Sequence, residues 1–265
     1  MYTEERQAKI LNSLSTTGRI DVNELSSLFQ VSRETIRRDL RILERERKLL
    51  RTHGGAILPE QAPPVSTKSK DMAEPSVKVR TTLNIQEKEI ICKYAATKIV
   101  NGDTIFVDNS TTCIHLYQYI PKNMQITFLT NSIAFLVECA KTSCPNHTIV
   151  CLGGILKKTN LSIYGNVALE NAKQYFPSKA FISCTGITNQ SQVTDSGIQE
   201  IDIKKTLLSV SEEVYLLADH TKFRPAGQVY LSNLSEMDYI ITDTLSDYSY
   251  LKLSEEIKNK IHIAI

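Results

Sequence analysis

Residues Ser32 to Leu40 read Ser-Arg-Glu-Thr-Ile-Arg-Arg-Asp-Leu, and they leave this chain few folds to choose from. Ser32 is a natural N-cap, so a helix begins there. Ile36, Leu40 and Leu43, spaced four and three apart, share one side of that helix. Glu34, Arg37, Arg38, Arg41 and Arg45 fall on the other. An apolar back with an arginine-rich front suits the major groove of DNA, because guanidinium forks pair bidentately with guanine edges or phosphates. Upstream, Asp21 caps a short helix with Val22, Leu25, Leu28 and Phe29 on one face, and Gln30-Val31 forms a tight link to Ser32. That is a helix-turn-helix. A first helix over roughly Thr3 to Leu14 adds Ile10 and Leu14 to the core. Downstream, Leu49–Thr52 and Ala56–Leu58 flank His53-Gly54-Gly55, which reads as a hairpin, the wing. A single charged amphipathic helix is often only a solvated face, but three short helices followed by a glycine-turn hairpin are not. The DNA-contacting set is Ser32, Arg33, Thr35, Arg37, Arg38, Arg41, Arg51 and His53.

Charge agrees. The 265-residue chain has a formal net charge of only +2, but residues 1–58 hold eleven Lys/Arg and eight Asp/Glu, while the remainder is slightly acidic. The positive excess sits on the module that would displace counterions from DNA. No apolar run is long enough to span a membrane and no signal peptide precedes the first helix, so a cytoplasmic protein is expected. Six irregularly spaced cysteines read as reduced, mostly buried thiols. Cys144-Pro-Asn-His147 offers half a metal site with no second half, so neither metal nor cofactor is expected.

Proline-rich, small-polar residues 59–75 form a linker, dividing a DNA-binding domain at 3–58 from an effector domain at 76–265. In the latter a helix is expected from about Glu87 through Ile99 to Asn101-Gly102. Short apolar runs follow: Thr104–Val107, Ile126–Leu129, Thr148–Leu152, Ala180–Ser183, Val214–Ala218 and Tyr239–Thr242. Helical stretches such as Ile133–Lys141, Val167–Tyr175 and Ile198–Val210 separate most of them. This alternation predicts an α/β domain with a largely parallel sheet covered on both faces. In such sheets ligands bind beyond the strands' carboxyl ends. Those ends carry Asp108, Ser110, Thr111 and Thr112, then Thr130, Asn131 and Ser132, then Gly153 and Gly154, then Thr185 and Gly186, then Asp219 and Lys222. Any one such loop is usually only a cap or a turn. Their recurrence points to a crevice for a phosphorylated ligand, held by hydroxyls, backbone amides and a lysine.

The chain resembles the DeoR family of bacterial transcriptional regulators over nearly its whole length. Arg6, Ile10, Leu14, Ser32, Thr35–Leu40, Leu43-Glu44, Leu49, Arg51 and His53–Ala56 carry the N-terminal signature. Asn84, Glu87, Lys88, Gly102-Asp103, Asp108, Thr111-Thr112, Thr130–Ser132, Gly153-Gly154, Ser162, Gly165, Gly186-Ile187, Glu200, Lys204, Asp219 and Lys222-Phe223 carry the C-terminal one. The resemblance implies a winged helix-turn-helix followed by a sensor like ribose-5-phosphate isomerase, with a phosphosugar as effector. It adds Glu200 and Lys204 to the effector set, although Lys204 could instead pair with Glu200 one turn away. Four positions depart from the family pattern: Arg47, Ser110 and Arg224 where glycine is usual, and Thr185 where an acidic or amide residue often stands. The leading reading is a repressor of a sugar-catabolism operon that binds operator DNA as a dimer or tetramer. A fused sugar-phosphate isomerase is the alternative. Its only candidate bases are Asp195, Glu200 and Asp219, each explicable as a helix cap or a loop hydrogen-bond acceptor. Constitutive DNA binding without effector is the third.

Overall fold

Asp21 starts a helix because its carboxylate accepts the amides of Asn23 at 2.7 Å and Glu24 at 3.3 Å. Gln30 ends that helix in the left-handed conformation, with its N–H on the carbonyls of Ser26 and Ser27. The chain turns there and restarts at Ser32. The structure, a computed structural model, describes residues 3–17, 19–45, 48–52, 55–57, 77–244 and 253–264. It divides into two units, Met1–Ala73 and Glu74–Ile265.

The first unit holds α1 (Thr3–Thr17), β1 (Arg19–Asp21), α2 (Val22–Phe29), α3 (Arg33–Arg45), β2 (Leu50–Thr52) and β3 (Gly55–Ile57). Ile10, Leu14, Val22, Leu25, Ile36, Leu40, Leu43, Leu49 and Ala56 form one buried core. Helix α1 runs three residues past the expected end. Leu28 is not a core residue: it is 67% exposed, because it lies roughly 60° beyond Leu25 around the helix. The wing gains an unexpected third strand, since β3 pairs antiparallel with both β2 and β1. Gly55 permits this. A Cβ there would lie 1.8 Å from the Ile20 carbonyl oxygen, so any side chain would push β1 away. Arg47, His53, Gly54 and the expected linker lie outside the described residues, as do the side chains of Arg45 and Arg51.

The second unit runs α4 (Val77–Thr82), α5 (Ile85–Ala96), β4 (Thr104–Val107), β5 (Ile126–Thr130), α6 (Ile133–Ala140), β6 (His147–Cys151), β7 (Ile155–Lys157), β8 (Ser162–Tyr164), α7 (Asn166–Ala172), β9 (Lys179–Ile182), β10 (Gly186–Ile187), β11 (Gln192–Asp195), α8 (Ile201–Val210), β12 (Glu213–Leu217), β13 (Val229–Asn233), β14 (Tyr239–Thr242), α9 (Glu255–Asn259) and β15 (Ile261–Ile263). The apolar runs became strands to within a residue at each end. Helix α5 is shorter than expected: it stops at Ala96, and Ile99 is buried in the coil beyond it.

Seven strands pair in the order β15-β14-β12-β9-β4-β5-β6, all parallel. Alternate residues serve opposite faces. Phe106, Ala180, Ile182, Leu216 and Ile240 pack with α7, α8 and α9, while Ile105, Val107, Phe181, Tyr215 and Leu217 pack with α5 and α6. The hairpin β7–β8 and the antiparallel set β10-β11-β13 lie outside this sheet. From β4 the chain winds outward through β5 to β6, then returns to β9 on the other side of β4. The gap between the carboxyl ends of β4 and β9 is therefore the topological switch point, where open α/β sheets bind ligands.

Candidate functional site

In the first unit α3 presents its charged face. Ser32 Oγ accepts the Thr35 amide at 3.1 Å and shares a 2.8 Å hydrogen bond with the Thr35 hydroxyl, which fixes the helix start. Arg33, Glu34, Arg37, Arg38 and Arg41 are exposed. Glu34 accepts from Arg41 at 2.5 Å and lies 3.8 Å from Arg37. Asp39, although it follows two of these arginines, turns inward. It is buried against Arg6 of α1, with Arg6 Nε at 2.5 Å and a second guanidinium nitrogen at 3.2 Å.

In the second unit the sheet's switch point gathers charge. Asp108, at the end of β4, is fully buried and accepts the amides of Ser110 at 2.9 Å and of Ser183, just past β9, at 3.0 Å. Lys204, reaching in from α8, places its ammonium 2.8 Å from Asp108 and 2.6 Å from Asp195. Burial works against the charged lysine, but the two carboxylates outweigh it and hold it protonated above the ordinary range. Burial also opposes the Asp195 carboxylate. Lys204, the Ser196 amide and the Thr185 hydroxyl nonetheless hold it below the usual carboxylate range. Lys204 does not pair with Glu200. Glu200 heads α8 and accepts from Ser162 at 2.7 Å, Lys157 at 3.1 Å and Asn160 at 3.3 Å, all from the β7–β8 hairpin. Glu200 occupies the N-cap position of α8 but its side chain makes no capping hydrogen bond, and Asp195 lies in β11, before the helix.

A small polar cavity lies above this cluster, with about 40 Å³ of free space. Of the expected effector residues it is lined by Ser110, Thr185, Glu200, Lys204 and Lys222. Arg80, Asn109, Asn160, Cys184, Asp195, Ser196 and Gly197 complete it. Burial lifts the Cys184 thiol to about 12, so this wall is an inert thiol. Lys222 follows Asp219, whose buried carboxylate accepts from Asn84 and from the amide and hydroxyl of Thr221. Behind the cavity, Lys88 donates to the Arg80 carbonyl and to Thr111 Oγ1. Burial pushes Lys88 down to about 8; Asp219 resists, while Lys222 and Arg80 add to the fall. A larger hollow of about 290 Å³ beside Leu208, Val214 and Leu231 opens near the amino end of β12, away from the switch point.

The structure does not bring the other expected residues to the cavity. Thr112 is buried and its carbonyl accepts from Cys92 Sγ. Thr130 donates to the Val107 carbonyl of β4, Asn131 donates to the Ile163 carbonyl of β8, and Ser132 caps α6 and bridges to Ser162, so these three hold the sheet, the hairpin and the helix start. Gly154 has φ +116°, and a Cβ there would meet the Tyr164 carbonyl at 2.6 Å, so it serves hairpin packing. Gly153 also lies outside the lining, and Gly186 begins β10. Sequence reasoning missed Arg80, Asn109 and Asn160, which reach the cavity from α4, the end of β4 and the hairpin tip. Among the described residues no cluster of three or more His, Cys, Asp or Glu could hold a metal, and no helix is long and apolar enough to cross a membrane.

A winged helix-turn-helix with an arginine-faced helix, followed by a parallel-sheet unit with a charged cavity at its switch point, is the make-up of a DNA-binding regulator with a sensor. The chain belongs to the DeoR family of transcriptional regulators: the DeoR-like helix-turn-helix domain matches residues 6–62 and the DeoR C terminal sensor domain residues 83–244. It is 33% identical to the uncharacterized HTH-type transcriptional regulator YulB of Bacillus subtilis, over 98% of this chain and 96% of that protein. It is 32% identical to the HTH-type transcriptional repressor GlcR of the same organism (96% and 93%) and 28% identical to the Glycerol-3-phosphate regulon repressor of Escherichia coli (96% and 96%). These relatives are named as regulators, and on that ground the isomerase reading falls. Among solved structures, ribose 5-phosphate isomerase A from Methanocaldococcus jannaschii matches with 14% identity and a TM-score of 0.39, over 53% of this chain and 55% of that one. The Pyrococcus horikoshii translation initiation factor eIF-2B matches with 13% identity and a TM-score of 0.42, over 59% and 62%. Neither likeness bears on function.

Proposed function

We propose that this chain represses a sugar-catabolism operon in the cytoplasm, binding operator DNA through residues 3–58 and releasing it when a phosphorylated sugar enters the cavity of residues 76–265. The observation that carries the sensor reading is the polar cavity at the switch point. Arg80 and Lys222 line it, with no carboxylate paired to Lys222 among the described residues, together with the Lys204–Asp195 ion pair and Glu200. A phosphate suits the cations and sugar hydroxyls suit the carboxylates. A relative named for a glycerol-3-phosphate regulon fits this chemistry. A thermal-shift screen of phosphosugars tests the reading. A true effector at a hundred times its Kd stabilises the protein by about 2.7 kcal/mol. The effector it identifies should bind Lys222→Ala about ten- to a hundredfold more weakly, from a lost charge-assisted bond, while operator binding without effector persists. Equal calorimetric affinities would remove Lys222 from the site.

On DNA, Ser32, Arg33 and Thr35 anchor the start of α3, Arg37 and Arg38 face the major groove with Arg41 nearer the phosphates, and Arg51 and His53 complete the contact set. Arg38 is exposed and has no partner among the described residues, so its guanidinium is available to a base edge. Arg38→Ala should cost roughly 1–3 kcal/mol on the preferred sequence and relax selectivity at one base pair. A uniform loss on all sequences would make it a phosphate contact instead. One winged module buries too little surface for selective binding, so a dimer or tetramer places two α3 helices on paired half-sites. Sedimentation as a monomer, with and without DNA, would contradict that assembly.

A further inference from the structure

The arginine-rich face of α3 has a carboxylate at its centre. With about 100° of rotation per residue, Glu34 lies between Arg37 and Arg38 around the helix and nearly in line with Arg41 two turns on. The structure agrees: Glu34 accepts from Arg41 at 2.5 Å and stands 3.8 Å from Arg37, with its side chain 67% exposed. It is the second residue of α3, in the turn where recognition helices meet base edges. A surface built only to attract phosphate would leave this position neutral or basic.

We propose that Glu34 is a specificity-determining residue of the DNA-reading helix: it restrains Arg41 and Arg37 off target and reads a base amino group on target. The proposal rests on the assignment of α3 to the major groove. A carboxylate accepts hydrogen bonds and donates none. Against guanine O6 and N7, thymine O4 or a phosphate it meets only acceptors and is repelled. Against cytosine N4 it finds a donor, whereas at adenine the acceptor N7 beside N6 suits an amide better than a carboxylate. On arbitrary sequence Glu34 therefore stays on Arg41, cancels one positive charge of the face and adds repulsion. On the preferred sequence it turns to the base, and Arg41 becomes free to take a phosphate. An acidic residue in a first turn also complements the helix dipole. That effect would appear in the melting temperature and leave the preference between sequences unchanged.

The test uses the full chain as wild type, Glu34→Gln and Arg38→Ala. The DNA probes are a duplex enriched by wild type from a randomised library and a mixed-sequence duplex of equal length. Glutamine keeps the length and an acceptor oxygen and removes the charge. Glu34→Gln should bind the mixed duplex about tenfold more tightly, with a salt dependence steeper by about one counterion. Its preference for the enriched duplex should fall by about tenfold or more. Enrichment repeated with Glu34→Gln should lose the preference at one base pair. If Arg38→Ala loses affinity but Glu34→Gln keeps the wild-type preference and salt dependence, Glu34 has no reading role and the proposal is overturned. If both variants bind both duplexes as wild type does, the groove assignment itself is wrong and the proposal falls with it.

Discussion

Asp39→Ala should unfold the DNA-binding unit at a temperature where the sensor remains folded, although Asp39 faces away from the arginine-rich surface. Its carboxylate is 1% exposed and accepts two guanidinium bonds from Arg6, itself 7% exposed, and a third from Gln7 at 3.3 Å. The pair ties α1 to α3 in the core that also holds Ile10, Leu14, Ile36 and Leu40. Removing Asp39 takes from a buried guanidinium the carboxylate that accepts two of its hydrogen bonds, and breaking one side of a buried ion pair costs about 3–5 kcal/mol. A unit of this size is stable by roughly 0.05–0.15 kcal/mol per residue, so the loss consumes much of its margin. Operator affinity should fall with folding, not through a lost contact. Replacing both Arg6 and Asp39 by leucine should recover part of the stability, because neither charge of the buried pair then remains. Calorimetry of the single and double variants checks this. A single variant whose first transition stays within 1 kcal/mol of wild type would show that the pair is dispensable.

The sequence displayed Asp39 and Arg6 as motif residues but not as partners, since 33 residues separate them. The same distinction runs through the molecule. Ser32, Ile36, Leu40 and Leu43 were legible because helix capping and helical period are local. The strands from Thr104 to Thr242 were legible because strands buried on both faces read as continuous apolar runs. The three-residue strand at Arg19–Asp21 was not, being too short for any period to show; only the close approach at Gly55 reveals it. At the cavity, chemistry was legible and assembly was not. Hydroxyls and glycines after successive strands announced a crevice, yet nothing local says that β9 returns beside β4, and this adjacency brings Ser183 to Asp108. Thr130, Asn131 and Ser132 have the composition of a ligand loop but serve β4, the hairpin and the start of α6 in turn. The four-residue spacing of Glu200 and Lys204 allowed a helical pair as readily as a phosphate contact. Tertiary carboxylates prevailed on Lys204, and Glu200 turned to three donors from the hairpin.

Those carboxylates make Lys204 the residue whose loss should most damage the second unit. Lys204→Met preserves much of the side-chain volume and removes the ammonium that lies 2.8 Å from Asp108 and 2.6 Å from Asp195. Asp108 is completely buried, and although it retains two amide donors, its negative charge would face that of Asp195 with no cation between them. About 3–5 kcal/mol of the sensor's stability should be lost, the cost of stranding buried charge. Adding Asp195→Asn should restore part of it by removing one charge while keeping a bonding partner for Thr185. The pH dependence gives an independent check. Asp195 titrates below the ordinary aspartate range in the folded protein, so its stabilising contribution is full above the unfolded value near 4 and fades as pH falls through the lower folded value. Wild type should therefore lose part of its advantage over Lys204→Met on acidification, and the two melting curves should converge below about pH 4. A constant gap between them from neutral to acid pH would mean that packing, and not the lysine's charge, holds the strand ends together.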